Sequence, residues 1–139
     1  MGVTKYILPV IAGAIGGMIL ISCGEWCMHL LYPMSSGSDP LRVASLADYM
    51  MNLPTQAFVI LIVNYIICSF LAGAIATIVA RRISSTPAIV VGIVLTLAGL
   101  FNAIHMPQPL WVSIASVLVY LPFTYLGYIV VRKPVAIRQ

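Results

Sequence analysis

Residues 56–80 read QAFVILIVNYIICSFLAGAIATIVA and are followed at once by Arg81 and Arg82. The run is free of charge from end to end. As an α-helix it would extend about 37 Å, more than a hydrocarbon core of about 30 Å requires. Inside lipid an isolated strand would leave its N–H and C=O groups unpaired, and the run lacks the alternation of a barrel strand. It is predicted to be a transmembrane helix, with the arginine pair stopping it at the cytoplasmic surface.

Three further stretches, at about 6–32, 87–106 and 110–131, read the same way. The chain of 139 residues is 62% hydrophobic and 7% charged, a balance that would leave an apolar exterior in water. A single all-α domain over 1–139 is therefore expected, a polytopic membrane four-helix bundle. Lys5, Arg81, Arg82, Arg132, Lys133 and Arg138 flank the runs on one side. Only Arg42 falls on the other, in a connection that also holds Asp39 and Asp48. The positive-inside bias then places both termini in the cytoplasm.

The connection at about 33–55 is the longer, outer one. It starts turn-rich with Pro33, Ser35, Ser36, Gly37, Ser38 and Pro40. Leu46, Met50 and Leu53 then recur near helical spacing beside Asp48 and Tyr49, which predicts a short amphipathic element on the outer surface. The links through Ser84, Ser85 and Pro87, and through Pro107-Gln108-Pro109, are tight and make their helices antiparallel neighbours. No internal repeat is evident.

Several function classes fall away. The net charge of +4 comes from residues at helix ends, with no basic stripe and interleaved aromatics of the kind that grips nucleic acid. Cys23, Cys27 and Cys68 lie inside apolar runs without a C-x-x-C pair, as expected of small packing residues. Lys5, an apolar stretch and Leu20-Ile21-Ser22-Cys23 resemble a lipoprotein signal. Against that reading, one charge precedes the run, and it continues past Cys23 through Met28, Leu30 and Leu31, so an uncleaved helix is expected. The Met1-Gly2 start is followed by Tyr6 where myristoylation needs Ser or Thr.

Helices in lipid associate through small residues that let backbones approach. The first helix has Gly13, Gly17 and Gly24, the second Ser69, Gly73 and Ala76, and the third Gly92, Thr96, Gly99 and Ala103. These faces are expected to pack within the bundle, with a homo-oligomer interface as the alternative. Pro122 removes a backbone hydrogen bond from the fourth helix, leaving a carbonyl for Thr124, Tyr125 or water to satisfy.

Glu25 is the single acid inside a membrane segment, where an ionisable group needs a partner, a proton or water. His29 lies one turn further on the same face. A rise of about 1.5 Å per residue places Glu25, Asn64, Asn102 and His105 at similar depths, roughly 22–28 Å from the inner boundary. Gln56, Gln108 and Trp111 flank them. Three readings compete: an interfacial helix end with Tyr32 and Trp111 as belt residues, a polar network locking the helices, or a ligand pocket in the outer leaflet. Within the last, Glu25, His29 and His105, with Cys27 as a poorer fourth, are weak candidates for a transition metal. Proton transfer in a transporter would need an ionisable partner in the inner half, which offers only Cys68, Ser69, Thr96, Tyr120, Thr124 and Tyr125. An enzyme acting on a lipid head group or quinone has no Ser-His-Asp, H-E-x-x-H or phosphate-binding glycine loop behind it.

Asn102, then Pro107-x-Pro109-x-Trp111, then Tyr120-Leu121-Pro122-x-x-Tyr125-Leu126-Gly127 resembles the end of the third helix and the start of the fourth in a family of uncharacterised small four-helix bacterial membrane proteins. The resemblance covers about a quarter of the chain closely, with a similar helix plan over the rest. It implies a bacterial inner-membrane setting and brings no activity, substrate or catalytic residue with it. It includes Asn102 and Trp111 but neither Glu25 nor His29. The expectation is a non-enzymatic binding or accessory subunit whose outer pocket meets a lipid, small ligand or partner membrane protein. The alternatives are a small transporter or channel subunit acting as an oligomer, and a membrane metal protein or enzyme.

Overall fold

A computed structural model describes residues 3–33, 42–82, 84–106 and 108–132. It contains α1 (Thr4–Leu31), α2 (Val43–Asn52), α3 (Thr55–Val79), α4 (Thr86–His105) and α5 (Leu110–Val131). No strand occurs among the described residues. All but α2 are long and apolar enough to cross a membrane. Each of these four lies within two residues of the bounds expected from hydropathy. The turn-rich start of the α1–α2 connection at 34–41, Pro107, Lys133 and Arg138 lie outside the described residues, as does the side chain of Leu46.

Proline sets most of the boundaries. A residue that precedes proline is driven out of the α region. Tyr32 (φ −127°, ψ 75°), Leu53 (φ −69°, ψ 138°) and Met106 (φ −97°, ψ 126°) stand directly before Pro33, Pro54 and Pro107 and end α1, α2 and α4. Pro87 falls in the first turn of α4, where a missing N–H costs nothing. The end of α3 is different. Arg81 (φ 59°) and Arg82 (φ 62°) both take the left-handed conformation. The Arg81 N–H donates to the Ile78 carbonyl at 3.0 Å and the Arg82 N–H to the Thr77 carbonyl at 2.8 Å. This closing turn usually places glycine where Arg81 stands, because a β-carbon there costs about 1–2 kcal/mol.

Helix α3 is the centre of the bundle. It packs on α1, α4 and α5, and α4 also meets α1 and α5. Its Ala57, Leu61, Tyr65, Ala72 and Ala76 join Met28, Val91, Leu95 and Tyr120 in one buried cluster. The small residues are what bring the backbones together. A β-carbon on Gly13 would stand 2.8 Å from that of Ala76, and one on Gly17 2.8 Å from that of Ala72. A β-carbon on Gly73 would run into the backbone of Thr124, one on Gly92 into the Thr124 hydroxyl, and one on Gly99 into the Tyr120 ring. All of these glycines therefore face neighbours within the same chain.

Hydroxyls in these interfaces are satisfied by their own helices. Ser69 donates to the Tyr65 carbonyl at 2.6 Å, Thr77 to Gly73 at 2.7 Å, Thr96 to Gly92 at 2.7 Å and Ser116 to Val112 at 2.7 Å. Thr124 follows the same pattern. Its hydroxyl donates to the Leu121 carbonyl at 2.9 Å, so it does not serve the Leu118 carbonyl that Pro122, four residues on, leaves without its donor. The consequence is a bundle interior, on the Lys5 and Arg81 side, whose buried hydroxyls are already bonded to their own helices.

Candidate functional site

At the other end the side chains grow larger and the helices enclose space. The last turns of α1 bring Glu25, Met28 and His29, α2 brings Tyr49 and Met50, α3 brings Leu61 and Tyr65, and the end of α4 with its exit brings Asn102, Met106 and Gln108. They surround a cavity of about 100 Å³. A second crevice of about 290 Å³ lies between α1 and α4 over Tyr65 and Tyr120, bounded by Ser22, Leu95 and Gly99 among others. Glu25, Tyr65 and Asn102 line both spaces and so form the partition between them.

Among the described residues the Glu25 carboxylate has one hydrogen bond, from the Tyr65 hydroxyl to Oε1 at 3.0 Å. Tyr65 is 4% exposed, and its ring lies 5.6 Å from that of Tyr120. An ionised carboxylate has about four lone-pair sites, so most of its accepting capacity is left for whatever enters the cavities. Among the described residues no Lys or Arg lines either space. His29 shares the cavity, as its i+4 position predicts, but no hydrogen bond joins it to Glu25. Its ring instead meets Tyr49, with centroids 5.4 Å apart. The Tyr49 hydroxyl donates to the Tyr32 carbonyl at 2.6 Å, tying α2 down over the end of α1. Burial pushes the Tyr49 phenol above its ordinary pKa, which keeps it in the donating form.

Of the six residues proposed for the outer pocket, Glu25, His29 and Asn102 come together and Gln108 joins them. Three do not. The Asn64 amide lies at the α1–α3 interface directly against Gly24, whose missing β-carbon makes the room. Its Oδ1 accepts a weak bond from the Cys68 thiol at 3.4 Å, while its buried Nδ2 has no partner among the described residues. His105 is exposed, donates from Nδ1 to the Phe101 carbonyl at 2.8 Å and stacks on the Phe101 ring at 4.1 Å. Trp111 is 46% exposed and meets Phe58 edge-on at 6.1 Å. Equal depth does not imply equal direction. Three residues of helix turn a side chain about 60° away from its starting azimuth, enough to send Asn102 inward and His105 outward.

The three metal candidates are not brought together, for the same reason. Glu25, His29 and His105 are all described, and no group of three or more His, Cys, Asp or Glu able to hold a metal ion occurs among the described residues. Cys23 and Cys27 are exposed on α1.

Tyr65 was the residue missed by depth counting, although its position carried a signal. It follows Asn64 in an otherwise apolar run, and a tyrosine buried in such a run needs a partner for its hydroxyl. The partner is the only acid in the membrane segments. Tyr49 and the three methionines gave no signal beyond helical periodicity. No family model, curated protein or solved structure matches the chain.

Proposed function

We propose that the chain is a multi-pass membrane protein that binds a small cationic or donor-rich ligand at Glu25. The observation that carries this reading is the carboxylate itself. It is half-buried and, among the described residues, is bound by a single phenol and open to two cavities without Lys or Arg in their walls. A positive or hydrogen-bond-donating guest lowers the cost of holding that charge away from water. The rest of the wall suits an organic cation, with Tyr49, Tyr65 and His29 offering ring faces and Met28, Met50 and Met106 a soft apolar lining.

We read the site as one that binds rather than one that catalyses: among the described residues no Ser, Thr, Cys or Lys lines the first cavity. We also infer that the basic end faces the cytoplasm, from the six flanking cations, and that the membrane is a bacterial inner one, from the resemblance of 102–127. A transporter or channel role would require several copies, since the basic half of a single bundle is packed on itself through Gly13, Gly17 and Gly73.

The test is thermal unfolding of detergent-purified protein with methylammonium chloride, guanidinium chloride and sodium acetate at matched ionic strength, guanidinium kept at low millimolar concentration. Saturating cation at about a hundred times its dissociation constant should add about 2.7 kcal/mol of stability, and acetate none. Glu25→Gln should abolish the cation effect. An equal response in wild type and Glu25→Gln would sink the reading. Fusions of alkaline phosphatase or a fluorescent protein to the C-terminus test the orientation, which requires activity of the fluorescent fusion only.

A further inference from the structure

At the basic end, the first turns of α1 and the last turn of α3 leave a crevice of about 330 Å³. Leu8, Pro9, Val79 and Ala80 wall it, and Lys5 and Arg81 line it from opposite helices. We propose that this crevice binds an anionic phospholipid of the phosphatidylglycerol type, with Lys5 and Arg81 on its phosphate and the aliphatic walls along the start of an acyl chain. The site is separate from the Glu25 cavity and does not depend on it.

Charge is the first support. The three acids of the chain are Glu25, Asp39 and Asp48. Glu25 and Asp48 lie toward the other end of the bundle, and Asp39 belongs to the α1–α2 connection there. Among the described residues no acidic side chain lines the crevice, which leaves its two cations for a counter-ion from outside. Basic pockets between helix ends, at the level of the head groups, are where anionic lipids are held.

Backbone geometry is the second support. Arg81 occupies the left-handed position that closes α3, with φ 59°, although glycine would fit there without strain. An arginine kept at such a position holds its charge at a set place beside Lys5, and the strain is offset if a ligand uses that charge. A third feature selects the head group. Pro9 has no N–H, so the Lys5 carbonyl one turn earlier lacks its helical donor. Together with the Thr4 hydroxyl in the same wall it offers acceptors to a head group that carries hydroxyls.

Native mass spectrometry of the detergent-solubilised protein decides the matter, by titration with dioleoyl phosphatidylglycerol, dioleoyl phosphatidylcholine and chain-free glycerol 1-phosphate. One phosphatidylglycerol should bind about thirtyfold more tightly than phosphatidylcholine, the contribution of two cations near an anionic head group. The Lys5→Gln/Arg81→Gly double variant should lose that preference while keeping the wild-type circular dichroism spectrum. Arg132→Gln, at the same end but outside the crevice, should keep it. Equal binding of the two lipids overturns the proposal, as does a preference that survives in the double variant. Displacement of the lipid by glycerol 1-phosphate at equal concentration also overturns it, by showing a phosphate site with no use for a lipid.

Discussion

Helices α1 and α3 run side by side through two unlike regions. Toward the basic end their contacts are Gly13 on Ala76 and Gly17 on Ala72, and the helices nearly touch. Three turns on, the contacts become the Asn64 amide in the space over Gly24 and the Tyr65 hydroxyl on Glu25. The first region is dry and its hydroxyls are spent on their own helices. The second holds a carboxylate, phenols, amides and two cavities. The difference teaches that a polar cavity in a small bundle needs no separate architecture. It follows from changing the size of the residues along a helix pair whose small residues elsewhere hold it shut.

The largest effect is expected where the dry region is tightest. Gly73→Ala places a β-carbon against the backbone of Thr124, which no rotamer change relieves. A loss of about 3 kcal/mol is expected, read as a lowered midpoint of unfolding in mixed micelles. Gly24→Ala meets only the Asn64 side chain, and should cost about half as much. Combining it with Asn64→Ala should restore most of the loss. If Gly24→Ala proves as harmful as Gly73→Ala, the two regions are equally rigid and the contrast fails.

Next comes the pair that defines the polar region. Tyr65→Phe removes the one hydrogen bond to Glu25 and should destabilise by about 2 kcal/mol, the range for a bond to a charged group. In the Glu25→Gln background the same change should cost about half that, because an amide tolerates the loss better. A double-mutant cycle with no coupling would mean that the two side chains act independently in the folded protein.

Arg81→Gly should act in the opposite direction. It relieves a left-handed arginine while keeping the hydrogen bonds to Thr77 and Ile78, and should stabilise lipid-free protein by about 1 kcal/mol. The same variant is expected to weaken phosphatidylglycerol binding, so stability and lipid affinity should move apart. A fall in stability would show that the arginine side chain does structural work that outweighs its backbone strain.

These contrasts explain what could be read from the sequence. The four long helices were legible because hydrophobic length and flanking charge are one-dimensional properties, and Pro33, Pro54 and Pro107 mark their ends by local sterics. The partners of Glu25 were not legible in that way. Depth along a helix is a sum of residues, whereas facing depends on how each helix is rotated against its neighbours. That rotation is set by contacts such as Gly13 on Ala76, far from the site. Depth therefore grouped His105 and Asn64 with Glu25, and facing replaced them with Tyr65 and Tyr49. The closing turn of α3 was hidden for a different reason, since Arg81 stands where the sequence signal is normally a glycine.

Asn64 marks the border between the two regions, and its replacement has the smallest expected effect and the sharpest meaning. Among the described residues its Nδ2 is buried without a partner, and its Oδ1 accepts only from the Cys68 thiol. Leucine has the same number of side-chain heavy atoms and no amide to desolvate. Replacing a buried, half-satisfied polar group by an apolar one of similar shape is close to neutral or mildly stabilising. Asn64→Leu is therefore expected to leave the unfolding midpoint unchanged or to add up to about 1 kcal/mol, with cation binding at Glu25 intact. A loss of stability above about 1 kcal/mol would show that the amide is paid back by a partner. That outcome would move Asn64 across the border into the polar region, and would extend the binding site along α3 by a further residue.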